Sequence, residues 1–284
     1  GADAMDKAYQ IARKYQLKNG INRILMATDG DFNVGTVDFA TLKGRVAEQR
    51  KSGVSLTTLG FGSGNYNEQL MEQMADAGDG NYSYIDTEKE AKKVLQQQLA
   101  STLATVASDV KIQEEFNPNA VSQYRLIGYE NRQLQQADFN NDNKDAGEIG
   151  AGHVVTALYE FVPQGQQGWL NPSRYQASAV NSAVAQEYAH VNVRYKPVGS
   201  NSSVLLSRPV NKTSKPFAQA SSDSSFAVAV ATYGQLLRGG DMVGTQNWDS
   251  VAQLAKGAMG RDEFGLRAEF VELVGKAKQL SHNR

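Results

Sequence analysis

Apolar and polar positions change their period twice along this chain, and each change marks a change of structure. From residue 1 to 107 helical and strand patterns alternate. Met5, Tyr9, Ala12 and Leu17 recur near one helical face, and Asn19-Gly20 stops that helix. Ile24-Leu25-Met26-Ala27 is an unbroken apolar run, expected of a strand buried on both faces and ended by Thr28-Asp29-Gly30. Asp38 is placed to cap a helix that turns Phe39, Leu42 and Val46 inward, and Gly53 closes it. Val54 to Leu59 reads as a second buried strand. Asn65 and Glu68 have the spacing of a capping box ahead of Leu70, Met71 and Met74. Tyr82 to Ile85 is a short strand, and Thr87 with Glu90 opens a long helix through Leu95, Leu99 and Leu103. Strands alternating with helices imply a doubly wound α/β domain, a parallel sheet with helices on both faces.

From residue 108 to 215 the period falls to two. Val110 to Phe116, Gln123 to Tyr129, His153 to Val162, Ala189 to Tyr195 and Val204 to Val210 alternate, with Gly, Pro, Asn and Ser between them. The pattern predicts antiparallel strands in a β-sandwich-like domain, with a long excursion over Asn171 to Ala185. Residues 216 to 284 return to helical periodicity. Phe226, Val230, Tyr233 and Leu237 share one face, ended by Arg238-Gly239-Gly240. Val251, Leu254, Ala255 and Met259 mark a second helix, and Phe264 to Leu280 a third.

Composition narrows the function classes. The 284 residues carry a formal net charge of -1, with basic residues scattered, so no electrostatic footprint for nucleic acid or an anionic membrane appears. No cysteine is present, which excludes disulfides, thiolate catalysis and Cys-based zinc sites. No apolar run approaches about 18 residues, the length of a membrane-spanning helix.

Candidate chemistry is sparse. Asp29 directly follows a strand, at the carboxyl end of a parallel sheet where ligand sites form. Gly30 permits a tight turn there, and Asp31 reads as a solvated loop acid. Gly60-Phe61-Gly62-Ser63-Gly64 lacks the third glycine of a dinucleotide fingerprint and reads as a tight strand-to-helix connection. Asp138, Asn140, Asp142, Asp145 and Glu148 place oxygen side chains close together, like the start of a calcium loop. EF-hand spacing fails, since Asn143 and Ile149 stand where Gly and Glu belong. Two readings stand: a loop that takes Ca²⁺, and an Asx-rich hairpin connection. His153, His190 and His282 are isolated, and no hydrolase or phosphate-loop motif occurs.

The run Ile24 to Gly35, with Thr28-Asp29-Gly30-Asp31-Phe32-Asn33-Val34-Gly35 after the strand, resembles the third metal-site motif of von Willebrand factor type A (VWA) domains. Gly53 to Gly62 and Gly78 to Ile85 resemble the next strands of that fold. Asp138-Phe139-Asn140-Asn141-Asp142, Gly147 to His153 and Thr156 to Glu160 resemble the region following the VWA domain in bacterial proteins of the YfbK type.

The resemblance implies a Rossmann-like parallel sheet and a MIDAS-type adhesion site. Asp29 would be one ligand of Mg²⁺ or Mn²⁺, with an open position for a protein partner's carboxylate. The Asp-x-Ser-x-Ser loop and the threonine loop of such a site are not found here. This stretch is therefore expected to start inside the domain, N-terminally truncated, without its opening strand and with an incomplete site. The resemblance further implies a noncatalytic protein-binding module of the bacterial envelope. It would be metal-dependent only with the upstream part present, and would meet the membrane only through a lipid anchor outside these residues. The alternatives are a scaffold for assembling an envelope complex and a metal-dependent hydrolase using Asp29 and Asp31.

Overall fold

The computed structural model describes residues 2–18, 20–29, 39–62, 67–128, 134–144, 146–171 and 186–281. They group into two compact units. One comprises Gly1–Ile112, Gln136–Val154 and Val193–Leu206; the other comprises Gln113–Gln135, Val155–Asn192 and Ser207–Arg284.

The first unit begins with α1 (Ala2–Lys14), β1 (Arg23–Thr28), α2 (Phe39–Arg50), β2 (Ser55–Phe61), α3 (Glu68–Ala77) and β3 (Tyr82–Ile85). The strands form a parallel sheet in the order β1-β2-β3, as the strand–helix alternation requires. One face of the sheet is covered by helices. Met5 and Tyr9 of α1, Leu42 and Val46 of α2, and Met74 and Ala77 of α3 are buried with Val54 and Leu56. Leu59 and Ile85 are buried on the other face with Val94, against which Ala91 packs.

Burial fixes several ends. Gly53 closes the turn after α2 at φ +81, a left-handed conformation that glycine adopts without strain. Gly80 passes so close to β2 that a Cβ would stand 1.8 Å from the Leu56 carbonyl oxygen, so only glycine fits. Arg23 enters the sheet edge as a half-buried cation, donating to Thr57 Oγ1 at 2.6 Å and Thr105 Oγ1 at 3.2 Å. Burial lowers its pKa, against the pull of Glu148 and Asp79.

Four expectations change. β1 is not buried on both faces: it pairs only with β2 among the described residues, and Leu25 is 42% exposed. An apolar run signals a strand but does not say whether the strand lies centrally or at an edge. Helix α1 ends at Lys14, before Leu17, which is 64% exposed. Asn67, rather than Asn65, caps α3, accepting from Leu70 N at 3.0 Å. The long helix after Thr87 is interrupted: α4 (Glu88–Lys92) runs into a π-helical turn, Lys93–Gln97, before α5 (Leu99–Leu103). Thr87 does cap it, accepting from Glu90 N. Asp38, Asn65 and the side chain of Phe39 lie outside the described residues.

Antiparallel strands follow: β4 (Thr105–Phe116), β5 (Val121–Ile127), β6 (Gly147–Gly150), β7 (Leu158–Pro163), β8 (Glu187–Pro197) and β9 (Val204–Asn211). They form a four-stranded sheet in the order β6-β4-β8-β9 and a two-stranded β5-β7 sheet. In the second unit Phe116 stacks on Tyr124 at 4.2 Å, and Phe161 meets Phe116 and Tyr188. This aromatic packing joins strands of both sheets, as a sandwich-like core does. β6 escapes periodicity reading because it is four residues long and half glycine. Most of the excursion expected over Asn171 to Ala185 lies outside the described residues.

The helical C-terminal segment is α6 (Ser222–Leu237), α7 (Trp248–Gly257) and α8 (Leu266–Ser281). The three pack through buried Ala229, Val251, Ala255 and Val274. Ser221 caps α6 and Asn247 forms a capping box on α7. Arg267 ties the bundle together, donating to Ala258 O, Met259 O and Asp223, with its guanidinium over the Phe226 ring.

Candidate functional site

Asp29 is the first residue past β1, and it is exposed. Parallel pairing sets Thr28 beside Gly60, so the carboxyl ends of β1 and β2 finish together. Gly62, at φ +83, then turns the chain away from β2. A Cβ on Gly62 would lie 3.8 Å from Asp29 Cβ, so the two strand ends meet closely. From β3, the Tyr84 hydroxyl donates to the Gly62 carbonyl. Asp29, Gly62 and Tyr84 therefore line one edge, built from the ends of three adjacent strands.

A hard divalent cation of the Mg²⁺ type needs about six oxygen ligands in octahedral array. Among the described residues this edge supplies one carboxylate, and no group of three His, Asp or Glu side chains able to hold a metal occurs. These residues alone do not fit a complete site. Gly30, Asp31 and the rest of that loop lie outside the described residues, as do Ser63 and Gly64.

The acidic run is arranged differently. Asp142 Oδ1 accepts from Arg194 Nε at 3.1 Å, Arg194 Nη2 at 2.9 Å and Ser203 Oγ at 2.6 Å. The Ser203 hydroxyl and the Arg194 guanidinium hold the Asp142 carboxyl below its usual range. The Asp142 carbonyl accepts from Lys196 Nζ at 2.9 Å, and Lys196 pairs with Asp109 at 2.5 Å. Lys111, 2% exposed, donates to the Asn141 carbonyl. Asp138 lies 3.8 Å from Lys144 Nζ. Asn141 makes an Asx turn, accepting from Asn143 N at 3.0 Å. Asn140 is exposed, Glu148 sits on β6 with its charge felt by Arg23, and Asp145 lies outside the described residues.

The basic partners were not singled out by reading the sequence. Asp109-x-Lys111 on β4 and Arg194-x-Lys196 on β8 carried the available signal, since alternate residues of a strand share a face. Of the histidines, His153 is exposed, His190 is half-buried and His282 lies outside the described residues.

A family described as "Uncharacterized protein YfbK, C-terminal" matches residues 101–280. The "Uncharacterized protein YfbK" of Escherichia coli (strain K12) is 46% identical over 276 residues, which are 96% of this chain and 48% of that protein. The chain thus spans about half the length of that curated relative. Among solved structures, the ArnB paralog VWA2 from Sulfolobus acidocaldarius aligns at 14% identity and TM-score 0.34, over 95% of this chain and 62% of that one. A von Willebrand factor type A protein from Catenulispora acidiphila aligns at 13% and 0.38, over 95% and 60%. Those two superpositions are too loose to bear on function. The sequence relationship covers 96% of this chain, and by it the chain belongs to the YfbK family.

Proposed function

We propose that this chain is part of a noncatalytic protein-interaction module of the bacterial envelope that meets a protein partner at the carboxyl edge of the parallel sheet. The observation that carries the reading is the placement of Asp29: exposed, directly after β1, and flanked by Gly62 and Tyr84 from the neighbouring strand ends. Carboxyl edges of open α/β sheets are where such folds place ligands. The VWA resemblance adds Mg²⁺ or Mn²⁺ as the bridge to a partner's carboxylate. Because the described residues supply one carboxylate, metal dependence is assigned to a chain of the relative's full length, not to these residues alone. The sequence carries no nucleophile or base motif of a hydrolase, which favours binding over hydrolysis.

The test uses a chain of that full length. Proteins crosslinked to it in envelope extracts are identified with and without EDTA, and again for Asp29→Ala. The reading expects both treatments to remove the same protein while the melting temperature of the variant holds. A partner that survives both would overturn it, as would turnover of a phosphoester or peptide lost with Asp29→Asn.

A further inference from the structure

A dense run of acids before β6 needs positive charge to stay compact, because like charges at short range repel. Three basic side chains reach it from strands far off in sequence. Lys111 comes from β4, and Arg194 and Lys196 come from β8. Arg194 and Lys196, two residues apart, point from the same side of their strand. Each grips a different part of Asp142: Arg194 the carboxylate, Lys196 the carbonyl. Lys196 also holds Asp109, whose other oxygen accepts from Ala146 N at 3.2 Å. Asp109 has φ +51, an uncommon conformation outside glycine, at a register shift between β4 and β6. The bulge brings its carboxylate to both Lys196 and the loop backbone. Phe139, within the loop, is buried.

We propose that Arg194 and Lys196 are the built-in counter-ions of the acidic loop described over residues 138–144 and 146–148, a latch that fastens it to β4 and β8 in the place a calcium ion would take. Side-chain cations satisfy oxygen atoms that an ion would bind: the Asp142 carboxylate and the Asn141 and Asp142 carbonyls. The loop is then ordered at any calcium concentration, and its order depends on two side chains of β8. Asp145 lies outside the described residues.

Hydrogen exchange of the chain reads this directly. The amides of Asn143, Lys144 and Ala146 are all bonded within the latch. Arg194→Gln and Lys196→Gln should each speed their exchange about tenfold or more, the loss expected for a hydrogen bond to a charged group. Arg208→Gln on β9, which removes only a bond to the Ser207 carbonyl, should leave them unchanged. Millimolar Ca²⁺ and EDTA should give the same exchange in the unaltered chain. The amides of Leu56 and Thr58 report whether the fold persists. If Arg194→Gln unfolds the chain, Arg194→Lys keeps the charge without the paired N–H donors and should still loosen the loop. Unchanged loop exchange in folded Arg194 and Lys196 variants would overturn the proposal. So would Ca²⁺ raising protection in the unaltered chain, which would make the loop an ion site.

Discussion

Asp142 and Asp29 are both loop aspartates next to strands, and their surroundings differ in kind. Asp142 lies among acids and is met by an arginine, a hydroxyl and two nearby lysines. Asp29 stands exposed at a strand end, faced by a glycine whose carbonyl is held by a tyrosine. Density of charge and exposure to solvent are therefore different properties. Where acids crowd, the fold has supplied matching cations from its own strands, and the cluster serves stability. Where one acid stands at the rim of a parallel sheet, the fold has shaped the backbone around it and left it facing solvent.

The contrast predicts effects of graded size. Largest is Lys111→Met, which keeps the buried stem and removes the ammonium from the Asn141 carbonyl. It should cost about 2 kcal/mol in urea unfolding, the range for losing a hydrogen bond made by a charged group. A negligible loss would mean the latch does not stabilise the chain.

Acid should loosen the loop before it affects the sheet. The folded Asp142 carboxyl titrates below its reference value of 3.8. Its stabilisation is therefore complete above that value and disappears as pH falls through the lower folded value. Loop amides should stay protected down to about pH 4 and lose protection below it, while Leu56 and Thr58 persist. Ser203→Ala, removing the strongest influence on that carboxyl, should shift the loss to higher pH. An acid profile identical in Ser203→Ala would separate Asp142 from the loop's order.

Smaller effects belong to the sheet edge. Tyr84→Phe should lose about 0.5–1 kcal/mol, one net hydrogen bond. Asp29→Ala should change stability by less than about 0.5 kcal/mol, as exposed substitutions do. A large loss at Asp29 in thermal melting would recast it as a structural residue and close the contrast from the other side.

Much of the fold was legible from local pattern. Leu42 and Val46, four residues apart, are both buried, and Gly53 closes their helix as its position implied. Thr87 caps its helix through Glu90 N, although the π-helical turn beyond it left no mark in the apolar pattern. What sequence did not reveal was long-range. Leu25 belongs to an apolar run that reads the same in a central or an edge strand. The latch joins residues 30, 52, 54 and 61 positions apart, and no local period encodes such pairings. The candidate edge was half legible: the position of Asp29 after a strand could be read, but its neighbours Gly62 and Tyr84 come together only through the parallel register.

The first compact unit is assembled from three stretches, Gly1–Ile112, Gln136–Val154 and Val193–Leu206. During synthesis the three parallel strands and their helices emerge before the other two stretches, and they are joined mainly by near-neighbour crossovers. The pieces that complete the latch emerge much later. Non-local pairings of this kind close slowly, because a long loop must be ordered before any contact rewards it. Lys111 has to wait, hydrated, until Asn141 arrives 30 residues later. Asp142 must wait 61 residues more for Ser203. Completion of this unit thus waits until the chain has been made into β9, where its last stretch ends at Leu206.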